Sequence, residues 1–493
     1  NGGCVISILA QNSKEFMEEE LAMQLPHSRR HGSRIVIRTG SPLLVNDLLR
    51  VGAHRAKAVV ILAPVSAGPN EADANTVRVV LSLKTWAGDI QHGYFLAEVR
   101  DIDNEPLLRT VCDESVEIIV SHDMIGRLMV MSVRQPGLAK VYEALLGFEG
   151  DEFYMEEWPA VVGQRFGDLQ LLFPDAVPIG LMTKGGELVL NPISDRIVVE
   201  GDKIVVIAED KHSYEAEPRQ DVGFSLPPTR LAKEDVNEKI LICGWRRDVR
   251  EVLKLIDKVA APGTEVHMIT HCVPVAKREK ELLEDGFHVR ELVHTRLVHH
   301  FGNTSVRRQL DKLPIESFTS CMIFAESAFE EDTMYADSHS LATLLLLRDI
   351  QVSRLIESDL QDDNMKHAGS AVDRLYQGLH QFGAMARCPV VCEILSPQTQ
   401  ATISASQQLS CLSDFCQTNK LIAQVMAMVT EERAVRELLD QLLGSSGSSI
   451  CVVPSSRYAH YEEKVSFYAL SQRASSFNEV LVGYQQRSSL RGP

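Results

Sequence analysis

Two acidic stretches hold the side chains of this sequence best suited to binding an ion. DIDNEP (101–106) sets Asp101, Asp103, Asn104 and Glu105 close together behind an apolar run. AESAFEEDTMYAD (325–337) holds Glu326, Glu330, Glu331, Asp332 and Asp337. Carboxylates, amides and carbonyls are the oxygen ligands of hard cations, and calcium takes about six to eight of them. Neither stretch has the spacing of an EF-hand loop. The same residues also suit solvated acidic loops, with Asp73 and Asp337 as helix N-caps. A third feature is KILICGWRRDV (239–249), an apolar strand, a lone glycine and a polar stretch that opens a helix. Gly244 suits the tight first turn of a Rossmann unit. The further glycines that let a pyrophosphate approach the backbone are missing, and Trp245, Arg246 and Arg247 stand in their place. No nucleotide is therefore expected, and Arg246 and Arg247 are read as partners for acids of a neighbouring lobe. His288, His294, His299 and His300 lack the cysteine pair or HExxH of a zinc centre, so they are read as surface or interface histidines. No nucleophile elbow or P-loop accompanies them, and no catalysis is expected.

A duplicated unit positions these residues. GSPLLVNDLLRVGAHRAKAVVILA (40–63) aligns without a gap to GNTSVRRQLDKLPIESFTSCMIFA (302–325). DANTVRVVLSL (73–83) then matches DSHSLATLLLL (337–347), which brings Asp73 and Asp337 into register. The strands GYFLAEV (93–99) and PVVCEIL (389–395) each carry a glutamate, Glu98 and Glu393. DMIGRLMVMSV (123–133) resembles NKLIAQVMAMV (419–429), and both lead to Leu-Leu-Gly. Continuous apolar strands that alternate with helical stretches imply parallel sheets covered on both faces. The fold class is therefore α/β, two Rossmann-like doubly wound units, each with crossover helices and a small β-rich lobe.

The expected division is 1–150 for the first large lobe and 151–210 for its small β-lobe. A linker follows at 211–238, then the second large lobe at 239–447. A partial second β-lobe at 448–484, through SSICVVP, KVSFYAL and EVLVGYQ, precedes a disordered tail at 485–493. CVISILA corresponds to VHMIT (266–270), so the first copy lacks an opening strand and glycine turn, which are expected upstream unless the fold is incomplete. Within 121–147, Ile125, Leu128, Met129 and Leu138 form an apolar face on a helix pair broken at Pro136-Gly137, and this is the expected interaction surface.

The chain has 493 residues and a net charge of -17, which speaks against nucleic acid as a partner. Ten cysteines lie scattered without a repeated CxxC and suit reduced thiols inside a cell. The longest aliphatic runs, such as LATLLLL (341–347), fall far short of the ~20 residues of a membrane span.

ICGW (242–245), GWRRD (244–248), EVRDIDNEPL (98–107), GRLM (126–129), QPGLA (135–139), SLATLLLLRDIQ (340–351) and NPISDRIVVEGDKIVVIAED (191–210) follow one another in order. Together they resemble the tandem RCK (regulator of K+ conductance) region of the CASTOR and POLLUX channels of plants. The resemblance implies a regulatory region that follows a transmembrane pore carried by a longer parent chain. It implies a homotetramer whose eight RCK domains form a gating ring, calcium as the regulating ion, and a nuclear or plastid envelope as its membrane. Some prokaryotic RCK domains take calcium on two acids of the AEV-like strand and one after the preceding strand. Here Glu98 is kept, but Arg100 and Ala63 hold the other two places, which departs from that pattern. In the second copy Glu393 and Glu326 stand near the equivalent places, followed by Ser396 and Gln398. The rival expectation is a nucleotide-dependent oxidoreductase with duplicated Rossmann lobes.

Overall fold

The computed structural model describes residues 3–64, 68–86, 94–111, 116–147, 150–217, 227–228, 237–284, 286–330, 332–358, 388–444 and 447–485. The chain divides into two compact units. The first holds residues 1–126 with 426–433, and the second holds 127–425 with 434–493.

The first unit carries five parallel strands, β1 (Val5–Ala10), β2 (Arg34–Thr39), β3 (Ala58–Ile61), β4 (Tyr94–Val99) and β5 (Val116–Val120). They form two sheets, β1-β2 and β3-β4-β5. The helix Pro69–Trp86 buries Val80 and Leu83 against Phe95, Ala97 and Val99 of β4.

In the second unit, β6 (Glu152–Glu157), β7 (Ala176–Met182), β8 (Leu188–Leu190) and β9 (Lys203–Ala208) make an antiparallel sheet in the order β6-β9-β7-β8. The β7–β9 register shifts between Pro178 and Gly180, as suits a proline that has no N–H to give the ladder. Trp158, Phe173 and Tyr214 close one face of this sheet, with Trp158 and Phe173 edge to face at 5.5 Å.

The second unit also holds β10 (Lys239–Cys243), β11 (Thr264–Thr270), β12 (Thr295–Phe301), β13 (Ser320–Ile323), β14 (Val390–Ile394) and β15 (Asp414–Gln417). All six are parallel, in the order β12-β11-β10-β13-β14-β15. The order reverses at β10, the topological switch point of a doubly wound sheet.

The two copies match strand for strand, with β1 standing for β11, β2 for β12 and β3 to β5 for β13 to β15. Among the described residues no strand of the first unit takes the place of β10. Apolar side chains that the second copy buries are exposed in the first. Ile6, Val60 and Leu62 are 44%, 41% and 66% exposed, while their counterparts Val266, Met322 and Phe324 are 1%, 0% and 1% exposed.

The helices Ser121–Arg134 and Leu138–Leu145 meet at Gly137, whose φ of 92° makes the turn. Ile125, Leu128, Met129 and Leu138, expected as an exposed interaction face, are buried within this chain. The second copy supplies the cover for the second of these helices. Tyr142 donates to the carbonyl of Leu442 at 3.1 Å, Lys420 pairs with Glu143, and the Gly137 amide donates to Asp414 on β15. In turn residues 426–433 of the second copy belong to the first unit, where Tyr94 donates to the Val429 carbonyl and Arg433 pairs with Glu117. Groups of the other copy of the same chain thus hold the second of these helices.

The C-terminal segment also differs from expectation. KVSFYAL and EVLVGYQ form no strands; the helix Phe467–Ser475 begins within the first, capped by Ser466, and the remainder is irregular. Tyr468 donates to the Pro174 carbonyl and Asn191 to that of Asn478, so the segment is held on the first copy's small lobe and builds no second one. Most of the expected linker and all of the tail after Gln485 lie outside the described residues. Among the described helices none is long and apolar enough to cross a membrane.

Candidate functional site

The crevice at the carboxyl ends of β10, β11, β13 and β14 is built around Gly244. Its φ is 108°, and a Cβ there would lie 2.8 Å from the Phe324 carbonyl oxygen, so only glycine turns the chain here without strain. Trp245 packs inward, and its amide donates to Glu326 at 3.1 Å. Arg246 is 1% exposed and fills the space in front of the following helix, Val249–Val259. Its Nε and Nη2 fork onto Asp248 at 2.8 and 2.9 Å, and its Nη1 reaches Glu393 at 2.9 Å. The guanidinium also lies 5.3 Å from the centre of the Phe324 ring. Burial works against this charge, but the carboxylates of Asp248 and Glu393 overcome it and hold Arg246 more firmly protonated than usual. In Rossmann units a helix N-terminus such as this one receives the pyrophosphate. Here Asp248 and Arg246 occupy it. The expected partner of Arg246, an acid of a neighbouring lobe, is replaced by two acids of its own lobe.

The glutamate of the central strand plays one part in both copies. Glu98 accepts from the Ala63 amide at 3.0 Å and from the Ser121 hydroxyl at 2.7 Å. Glu393 accepts from the Ala325 amide at 2.9 Å and from the Thr418 hydroxyl at 2.8 Å. Each carboxylate thus ties three consecutive strand ends together. Asp73 and Asp337 form a second repeated brace. Each is the fifth residue of its helix, and neither caps it. Asp73 accepts from the amides of Arg100 and Asp101, and Asp337 from those of Leu395 and Ser396. A buried carboxylate facing two backbone N–H groups satisfies donors that the ends of β4 and β14 leave unpaired.

The remaining acids are dispersed. Asp101 accepts from the amide of Asp103, and Glu105 pairs with Arg109 four residues on. Asp332 accepts from the Tyr335 amide at the start of the helix Thr333–Ser358. Glu331 lies outside the described residues. Among the described residues, metal-ligand side chains converge in one place, where His271, Cys272 and Glu326 hold their ligand atoms within 4.8 Å of one another. Of these, the sequence reading marked Glu326 alone. The signal for the other two was a His-Cys pair directly behind the strand VHMIT. Burial pushes the Cys272 thiol up to about 11, helped by the charge of Glu326. Burial also raises Glu326, against the pull of its hydrogen bonds from Thr270 and Trp245.

The histidines expected at the surface are partly inside. His300 stacks on His267 with a 2.9 Å ring nitrogen contact, and burial lowers the pKa of His299 and His300. Asn303, the acceptor of a formal glycosylation sequon, is engaged by Ser305 and His339.

A family model described as Castor and Pollux, part of voltage-gated ion channel, matches residues 122–222. A model of the calcium-activated potassium channel slowpoke-like RCK domain matches residues 8–111. Over 98% of its length the chain is 38% identical to a protein named probable ion channel POLLUX from Arabidopsis thaliana, of which it covers 58%. Over 99% of its length it is 36% identical to the ion channel CASTOR of Lotus japonicus, of which it covers 56%. The chain thus spans about half the length of the curated relatives it matches, 49–58%. The structure of the human SLO3 gating ring overlays 89% of this chain and 80% of that one, with a TM-score of 0.57 at 14% identity, a likeness of fold. These relatives are named as ion channels, not as enzymes, and the Rossmann-like lobes here are RCK units. Over nearly its whole length the chain is thus similar to plant ion channels named CASTOR and POLLUX.

Proposed function

We propose that this chain is the regulatory region of a cation channel, two tandem RCK units that bias an attached pore. The observation that carries this is the 36–38% identity, across nearly the whole chain, to proteins named as ion channels. In this reading the parent protein carries the pore in a nuclear or plastid envelope, and four chains assemble eight RCK units into a ring. Calcium binds at the carboxyl end of β4 by drawing together the dispersed carboxylates of Asp101, Asp103 and Glu105 as oxygen ligands, and favours one packing of the ring. An ion moves such an equilibrium only by its difference in affinity for the two packings. Shifting it from about 1:99 to 99:1 takes ~10⁴-fold in all, or about tenfold at each of four equivalent sites. Differences of that size are ordinary for coupled sites.

The test is potassium flux through the full-length parent protein in liposomes, with and without calcium on the side of this region. Flux should respond to calcium in the unaltered protein and lose that response in the Asp103→Asn/Glu105→Gln variant. Flux that ignores calcium, or that persists unchanged when residues 1–493 are deleted, refutes the proposal.

A further inference from the structure

The ends of β11 and β13 place three unlike metal ligands side by side. His271 and Cys272 follow β11 directly, and Glu326 lies just beyond β13. The Cys272 sulfur is 4.0 Å from either ring nitrogen of His271. Glu326 is 1% exposed and held by neutral donors, the Thr270 hydroxyl at 2.5 Å on one oxygen and the Trp245 amide at 3.1 Å on the other. The Thr270 oxygen also accepts from the Cys272 amide at 3.0 Å, so one hydroxyl fixes both the carboxylate and the thiol-bearing residue. Such outer contacts are what orient ligands before a metal arrives.

Among the described residues, Arg278 and His339 face the cluster. Arg278 directs its N–H groups to the carbonyls of Val273, Met268, Thr270 and His300. His339 lies with its ring centre 5.9 Å from that of His271 and bonds to Asn303. A buried carboxylate beside a thiol and an imidazole is costly as an ion and becomes favourable once a divalent cation neutralises it. The ligand set decides which cation. Sulfur and imidazole suit zinc-class metals, whereas calcium prefers oxygen alone.

We propose that His271, Cys272 and Glu326 bind a divalent transition metal of the zinc class, with the fourth tetrahedral position open to solvent. Metal–ligand lengths of about 2.0–2.3 Å put tetrahedral ligands roughly 3.5 Å apart, so the cluster closes by about 1 Å. The part-exposed His271 ring is free of the fold's hydrogen-bonded braces and supplies this movement. On binding, the S–H bond of Cys272 is replaced by a sulfur–metal bond and the proton passes to solvent, while His271 and Glu326 give lone pairs. The ion ties the end of β11 to the end of β13 and, through the carboxylate, to the Gly244–Trp245 turn. This site is separate from the acids proposed for calcium.

The chain is titrated with Co2+ as a spectroscopic probe, then with Zn2+ and Ca2+ as competitors. We expect one equivalent bound, with a thiolate-to-cobalt charge-transfer band in the near ultraviolet. Zn2+ abolishes the band and Ca2+ leaves it. Calorimetry in two buffers of different ionisation enthalpy should show about one proton released per ion at neutral pH, since the thiol is protonated when the site is empty. Cys272→Ser should remove the band. His271→Ala and Glu326→Gln should weaken binding at least ~10–100-fold, the range for losing even a supporting partner of a ligand. Cys4→Ser/Cys451→Ser, which removes the exposed thiols of the described residues, should leave the band intact. His271 is only partly buried, unlike Glu326, so its variant keeps the test valid if Glu326→Gln fails to fold. No stoichiometric binding, a band that survives Cys272→Ser, or an affinity unchanged in His271→Ala would each overturn the proposal.

Discussion

Replacing Glu393 by glutamine separates the repeated brace from the arginine that only the second copy's brace engages. In the folded chain one oxygen of Glu393 accepts from the Ala325 amide, and the other accepts from both Thr418 and Arg246. A glutamine has a single oxygen. If it stays on Ala325, its NH2 faces the Thr418 hydroxyl, which can turn and accept, and also the Arg246 guanidinium, which can only donate. One charge-assisted hydrogen bond is lost and a buried N–H of Arg246 is stranded, a cost of about 1.5–3 kcal/mol. Asp248 still neutralises the guanidinium, so the roughly 3–5 kcal/mol of a fully unpaired buried charge is not reached. Glu98→Gln is the internal control. There the NH2 meets the Ser121 hydroxyl, which can accept, and the cost stays at or below ~1 kcal/mol. Native-state hydrogen exchange reads both, on peptides that contain the Ala325 and Ala63 amides. A loss of about 2 kcal/mol means that Glu393→Gln speeds exchange at Ala325 ~30-fold, against at most ~5-fold at Ala63 for the loss of at most ~1 kcal/mol in Glu98→Gln. Equal effects in the two variants, or a larger one at Ala63, would refute the idea that Arg246 distinguishes the copies.

Three further outcomes follow from the same geometry. Gly244→Ala should lower stability by at least ~1–3 kcal/mol in a urea melt of the second unit, because it combines a φ of 108° with a 2.8 Å approach to the Phe324 carbonyl. Asp337→Asn should expose either the Leu395 or the Ser396 amide to an NH2 group, at ~1–3 kcal/mol, and Asp73→Asn should do the same for Arg100 or Asp101; hydrogen exchange at those amides checks both. Asp257 is held below the ordinary carboxylate range. Burial raises it, but the amides of Val293, His294 and Thr295 and the Thr295 hydroxyl outweigh that. Its stabilisation is therefore full above the unfolded value near ~3.9 and is lost as pH falls through the lower folded value. The gap in stability between the unaltered chain and Asp257→Asn should be constant at neutral pH and shrink below about pH 4 in acid urea melts.

The duplication and the doubly wound fold were legible in the sequence because both arise from local pattern. Apolar runs such as KILIC and PVVCEIL can sit only where helices cover both faces, and their matched order in the two halves gives the repeat. Gly244 was legible too, since a lone glycine between strand and helix marks a left-handed turn whatever surrounds it. The fate of the acids was not legible. Asp73 and Asp337 look like caps in one dimension, yet they reach across to strand ends some 27 and 58 residues away in the chain. A carboxylate satisfies whichever donors the fold brings to it. The apolar face with Met129 and Leu138 was expected to be an interaction surface, but amphipathicity does not say what covers it. Here groups of the other copy of the same chain hold its second helix. His271 and Cys272 are neighbours in sequence, but only the parallel register of β11, β10 and β13 brings Glu326 to them. Local pattern determined which elements form and which faces they bury. Which polar groups meet across those elements was decided by tertiary structure, because those distances depend on strand order and not on spacing along the chain.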